Sequence, residues 1–147
     1  MIKADTSIIK QQFAKLLEGL GNAVQSGLNN AAATGETRAK TVTYYKPRSP
    51  SGLQASTYAQ TLSDYQRQII ANKYYASWVN DGNGPPGGRI YPRTAKALRF
   101  RINGEIVFRK WVRASQPKPF MTETHKMLET YFPQAMEAAI SQFISRL

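Results

Sequence analysis

Apolar side chains recur every three or four positions near both ends of this 147-residue chain and every second position in a short stretch between. That combination demands two amphipathic helices bracketing paired strands. From about Asp5 to Ala33, Ile9, Phe13, Leu16, Leu17, Leu20, Val24 and Leu28 fall on one helical stripe, with Lys10, Lys15 and Glu18 off it. Asp5, Thr6 or Ser7 supplies an N-cap oxygen, whereas Gly19, Gly21 and Gly27 each cost about 0.5–1 kcal/mol relative to alanine. The helix therefore depends on packing, and a bend is expected near Gly19 to Gly21. From Thr122 to Leu147 a second stripe carries Leu128, Tyr131, Phe132, Ala135, Met136, Ala139, Ile140, Phe143 and Leu147. Pro133 lacks a backbone donor and clashes with the Glu129 carbonyl, so a kink or a break into two helices is expected near Tyr131 to Phe132.

The alternating stretch is Ala97 to Val112. Leu98, Phe100 and Ile102 alternate with Arg99 and Arg101, Asn103-Gly104 signals a turn, and Ile106 and Phe108 resume the pattern. A two-residue turn sets Ile102 opposite Glu105 and mixes the faces, while a three-residue loop through Glu105 pairs Ile102 with Ile106 and Phe100 with Phe108. Burial of one face favours the three-residue loop. Elsewhere, residues 34 to about 61 read as a long polar excursion with one strand-like piece at Thr41 to Tyr45, and Leu62, Tyr65, Ile69 and Ile70 predict a short helix near Leu62 to Lys73. Together these readings predict a single domain over residues 1–147 with a long N-terminal helix, a β-hairpin and a kinked C-terminal helix. A chain of this length buries about 68–70% of its unfolded surface and needs no staple.

Charge narrows the function. Lys and Arg number 20 against 9 Asp and Glu, a net +11, which predicts an anionic partner. Arg89, Arg93, Lys96, Arg99, Arg101, Arg109, Lys110, Arg113 and Lys118 stand with Glu105 as the sole acid among them, so that stretch carries 9 − 1 = +8. Either the arginine face of the hairpin contacts an anionic partner, with Trp111 near for stacking, or it is a solvated strand face whose charge blocks unwanted pairing. The concentration of one sign favours a partner.

Several chemistries find no residues to carry them. With no cysteine, disulfides, Cys-based zinc sites, iron–sulfur clusters and thiol catalysis are excluded, and a reducing cytoplasm is the expected place of folding. No signal-length apolar run follows Met1 and nowhere do roughly 18 apolar residues run together, so neither export by that route nor a membrane span is expected. Gly82 to Gly87 formally matches G-x-G-x-x-G, but Pro85 and Pro86 remove two backbone donors and no helix follows, which leaves a rigid loop. His125, the single histidine, has Glu129 one turn later and Glu123 nearby, a set better explained as a solvated helix face than as a metal site. No nucleophile–base set can be assembled without His125. The expectation is a protein without catalytic residues, metal, cofactor or small-molecule substrate.

The order of motifs resembles a known family. Tyr75-Ala76-Ser77-Trp78-Val79-Asn80-Asp81-Gly82 is followed by Ile90-Tyr91-Pro92-Arg93-Thr94-Ala95-Lys96-Ala97-Leu98-Arg99-Phe100, then Gly104-Glu105-Ile106-Val107-Phe108, then Pro117-Lys118-Pro119-Phe120-Met121 before the last helix. Over about a third of the chain this resembles the tailed-bacteriophage neck, or head–tail connector, proteins, also described as tail-completion or minor tail components. Departures stand at Asp81 to Pro86 and at Arg113 to Gln116. The resemblance implies a structural virion protein of α+β fold, a small, mainly antiparallel sheet with a β-hairpin packed against the two helices, assembled in the host cytoplasm. It forms a homo-oligomeric ring, a hexamer or alternatively a dodecamer, that joins the capsid connector to the tail tube. Adjacent neck, tail-terminator or tube proteins are its partners, and genomic DNA passes through or contacts the ring. In that role Gly82, Gly84, Pro85 and Pro86 form a docking loop, Pro119, Phe120 and Met121 anchor the last helix, and the basic residues from Arg89 to Arg113 meet the partner. The alternative is a free basic nucleic-acid-binding module.

Overall fold

The computed structural model describes residues 7–42, 52–84 and 87–147, and their arrangement is α+β. Helix α1 (Ser7–Val42) is followed by strands β1 (Thr57–Ser63) and β2 (Gln66–Ala71), helix α2 (Ala76–Asp81), strands β3 (Arg89–Ile90), β4 (Leu98–Ile102), β5 (Glu105–Arg109) and β6 (Val112–Arg113), and helix α3 (Phe120–Ile144). The strands form three separate antiparallel pairs, β1 with β2, β3 with β6 and β4 with β5, in place of the one small sheet expected.

Helix α1 runs nine residues beyond the expected end at Ala33, so Thr34 to Val42 is helical and not part of an excursion. Its aliphatic stripe ends at Leu28 because the buried positions that follow are small: Ala31, Ala32, Gly35 and Ala39. Thr41 and Val42 of the expected strand piece are the last helical residues, and Thr43 to Tyr45 lie outside the described residues. The Gln54 amide donates to the Lys40 carbonyl at 3.0 Å, satisfying one of the acceptors a helix end leaves open.

The antiparallel packing of α3 on α1 explains the glycines. A side chain at Gly19 would meet the Phe143 ring, one at Gly27 would meet Met136 and the Ala135 carbonyl, and one at Gly35 would meet Ile69 and Leu128. Glycines at eight-residue spacing thus let two helices approach closely, a gain that offsets their low propensity. Helix α3 is one unbroken helix through Pro133, which excludes the two-helix alternative. Pro133 is exposed, so water can reach the freed carbonyl on that face.

The expected helix over Leu62 to Lys73 is instead the β1–β2 hairpin, turning at Asp64-Tyr65, with Thr57 opposite Ala71 and Ala59 opposite Ile69. Helical spacing misled because Leu62 and Tyr65 are exposed and form no buried stripe. The hairpin lies along α1: the Ala59 N–H donates to Glu36 Oε2 at 2.8 Å, and Arg67 Nε donates to Asn29 Oδ1 at 2.7 Å. The Lys40 ammonium, and after it the Ala59 N–H, hold the Glu36 carboxyl below its ordinary value of 4.5. A depressed carboxylate stabilises the fold above its unfolded pKa and ceases to do so as pH falls through the folded one. The stability gap between wild type and Glu36→Gln is therefore steady above the ordinary value of 4.5 and narrows as pH falls below it. Denaturant titrations across that range check it.

The core sits where the C-terminal end of α1, the turn at residues 52–56, α2 and the start of α3 meet. Ala39, Leu53, Val79 and Phe120 are its buried members, with Ile69, Tyr75 and Met121 packed around them.

Candidate functional site

The basic stretch forms an arm that leaves this core and returns to it. At its base the Ala114 N–H donates to the Gly88 carbonyl at 2.9 Å, and β3 pairs with β6. Beyond the base, β4 and β5 form the hairpin. Asn103 (φ 50°) and Gly104 (φ 91°) both have positive φ, as a type I′ two-residue turn requires. The register therefore sets Ile102 opposite Glu105, Arg101 opposite Ile106, Phe100 opposite Val107, Arg99 opposite Phe108 and Leu98 opposite Arg109. The three-residue alternative is overturned, and the reason is physical. No residue from Leu98 to Arg109 is buried, so no buried face dictates the register and the Asn-Gly turn decides it.

That register mixes cations with apolar side chains. One face carries Arg99 and Arg101 with Ile106 and Phe108, which are 46% and 61% exposed. Arg109 lies on the opposite face beside Leu98, apart from Arg99 and Arg101. Arg93, Lys96, Lys110 and Arg113 are exposed on the arm's remaining segments. Arg89 and Arg113 are register partners, a like-charge pair that opposes strand pairing. The Arg89 guanidinium lies over the Trp111 ring, 4.1 Å from its centroid, which favours the cation there. Among the described residues, the ion pairs are Arg38–Glu123, Lys40–Glu36 and His125–Glu129, and none involves the arm. Among the described residues no ion pair offsets the arginines of the hairpin, so their charge faces solvent.

No family model matches this chain, and no curated protein or solved structure matches it significantly.

The other expected site residues hold the arm in place. Gly82 has φ 83°, and a side chain there would stand 3.0 Å from the Ser115 carbonyl; one at Gly84 would stand 3.1 Å from the Ala114 methyl. Asn83 Oδ1 accepts the Ser115 N–H at 2.6 Å, so this loop clasps the returning strand of the arm. Pro85 and Pro86 lie outside the described residues. Pro119 stands at the N-cap of α3 without a side-chain hydrogen bond, Phe120 is fully buried and Met121 packs beside it. Sequence reasoning missed Asn80, whose Oδ1 accepts the Met121 N–H at 3.0 Å and caps α3 from a separate helix. Nothing local in the sequence marks a cap supplied from 41 residues away. It missed Ile106 and Phe108 on the arginine face as well, although Asn103-Gly104 was the signal that would have placed them.

His125 Nδ1 is 3.5 Å from Glu129 Oε1 on an exposed helix face. Among the described residues, no group of three His, Asp or Glu stands close enough to hold a metal ion, and no helix is long and apolar enough to cross a membrane.

Proposed function

We propose that this protein is a structural connector of the tailed-bacteriophage neck, a ring-forming subunit whose cationic arm docks on the acidic surface of an adjacent ring. The observation that carries the docking role is the arm itself: a two-stranded hairpin with no buried residue, uncompensated cations and exposed Ile106 and Phe108. An isolated hairpin of this kind is marginal in water and gains its order on a partner. The phage setting rests on the motif resemblance from Tyr75 to Met121. Area supports a life in an assembly. The chain exposes 11321 Å², where a compact monomer of 16.5 kDa exposes about 7,500 Å². The 17 residues outside the described segments, at about 160 Å² each when extended, do not make up that difference.

Ile106 on the arginine face suits a protein surface better than a phosphate backbone because it offers no ring for base stacking, whereas the exposed Phe108 ring serves either partner. Reversing Arg99 and Arg101 to Glu leaves the circular dichroism spectrum and self-assembly unchanged. It weakens co-purification with the products of neighbouring genes by at least about tenfold, as loss of charge-complementary contacts predicts. Unchanged co-purification would sink the reading. Binding to DNA that falls steeply with salt, and is lost in the same variant, would favour the nucleic-acid module in its place.

A further inference from the structure

The N-terminal third of α1 outruns its partner helix. Gly19 lies against Phe143 near the end of α3, so Ser7 to Glu18 continue past it, about 18 Å of helix with every residue exposed. This arm is not polar. Ile9 is 66% exposed and Phe13 60%, and Leu16, Leu17 and Leu20 stand exposed beside them. Spacings of three and four place Ile9, Phe13, Leu16 and Leu20 on the same face as Val24, Leu28 and Ala31. Farther along that face the stripe becomes the floor of an open groove of about 510 Å³, with Leu28, Ala31 and Ala32 beneath and Ile69, Leu128 and Phe132 among its walls. The one buried hydroxyl at the groove, Thr124, already donates to the Phe120 carbonyl.

One continuous stripe thus runs from an uncovered half into the groove floor, where Ala31 and Ala32 are small and Leu28 is large. Reversing one copy of the helix against another about Leu20 sets Ile9 over Ala31, Phe13 beside Leu28, Leu16 over Val24 and Leu20 over its own copy, so apolar side chains meet along the overlap. Charge is mixed at the groove rim, where Glu129 stands with Arg67 and His125, so the contact rests on apolar area. At roughly 200 Å² for a fully exposed residue of this size, arm and groove together offer on the order of 700 Å² per copy, close to the ~800 Å² per partner of a standard stable interface.

We infer that the groove receives the α1 arm of a second copy, and that the free protein is a two-fold, arm-exchanged dimer. The inference concerns the free protein and does not depend on the neck reading.

The chain has no cysteine, so introduced thiols report the contact without background. Full-length Ile9→Cys protein is mixed with size-tagged Phe132→Cys protein and oxidised mildly. The expected product is a disulfide-linked heterodimer at least about tenfold more abundant than with Gln11→Cys, which lies on the opposite helix face. Sedimentation of the wild type gives twice the chain mass. Phe13→Asp gives the single-chain mass with unchanged circular dichroism, since that side chain is exposed within one copy. A monomeric wild type, a dimer indifferent to Phe13→Asp, equal crosslinking through Gln11→Cys, or a larger ring without the Ile9–Phe132 crosslink would each overturn it. A monomer whose Phe13 instead mediates binding to anionic lipid vesicles would overturn it in favour of a membrane surface.

Discussion

Replacing Phe120 by alanine lowers the unfolding free energy by about 3–5 kcal/mol, a large share of the 5–15 kcal/mol that holds a domain together. Phe120 is fully buried, and its neighbours Ala39, Leu53 and Val79 come from α1, the following turn and α2. The cavity left behind lies where three separate segments converge, two of them fixed by hydrogen bonds: Thr57 Oγ1 donates to the Leu53 carbonyl and the Lys118 N–H to the Val79 carbonyl, both at 2.8 Å. Collapse to fill it is therefore restricted, which puts the cost near the upper end for such truncations. Urea titration reads it as a lower midpoint with an unchanged slope. A loss below about 1 kcal/mol would show that the core at the root of α3 packs otherwise.

Of two glycine-to-alanine changes in the same helix, only one raises stability. At Gly21 the nearest atom to an added methyl is Tyr65 Oη at 3.4 Å, ordinary contact distance. Better helix propensity then raises stability by about 0.5–1 kcal/mol. At Gly35, buried between α3 and β2, the methyl collides with Ile69 Cδ1 and comes within 2.9 Å of Leu128 Cδ1. Both atoms are tips of flexible side chains, so relief costs near the low end of about 1–3 kcal/mol, enough to offset the propensity gain of about 0.5–1 kcal/mol. Thermal unfolding of the two variants side by side reads the sign. Stabilisation by both would mean that the helices do not approach closely at Gly35.

Much of this architecture was readable in the chain. The stripes from Ile9 to Leu28 and from Leu128 to Phe143 marked both long helices, and the Asn103-Gly104 pair marked the hairpin. What failed did so for identifiable reasons. The continuation of α1 to Val42 was hidden because its buried face is built of alanine and glycine, which carry no aliphatic signal. The β1–β2 hairpin was read as a helix because Leu62, Tyr65 and Ile69 satisfy helical spacing although only Ile69 packs against the core. The hairpin register was misjudged because burial was presumed where there is none. Of the candidate site, the positions of Arg99 and Arg101 on one strand face followed from alternation alone, whereas the stacking of Arg89 on Trp111 and the apolar company of the arginines required the observed register.

By itself, then, the sequence determined which segments are amphipathic, where the turn chemistry lies and where the positive charge is concentrated, because periodicity, positive-φ dipeptides and formal charge are local properties. Only the tertiary structure decided that the glycines of α1 seat α3, that Asn80 caps it from another helix, that the charged arm stands clear of the core and that an apolar stripe is left uncovered. Each of these depends on which distant surfaces meet, and close packing between segments far apart in the chain leaves no periodic trace in either one.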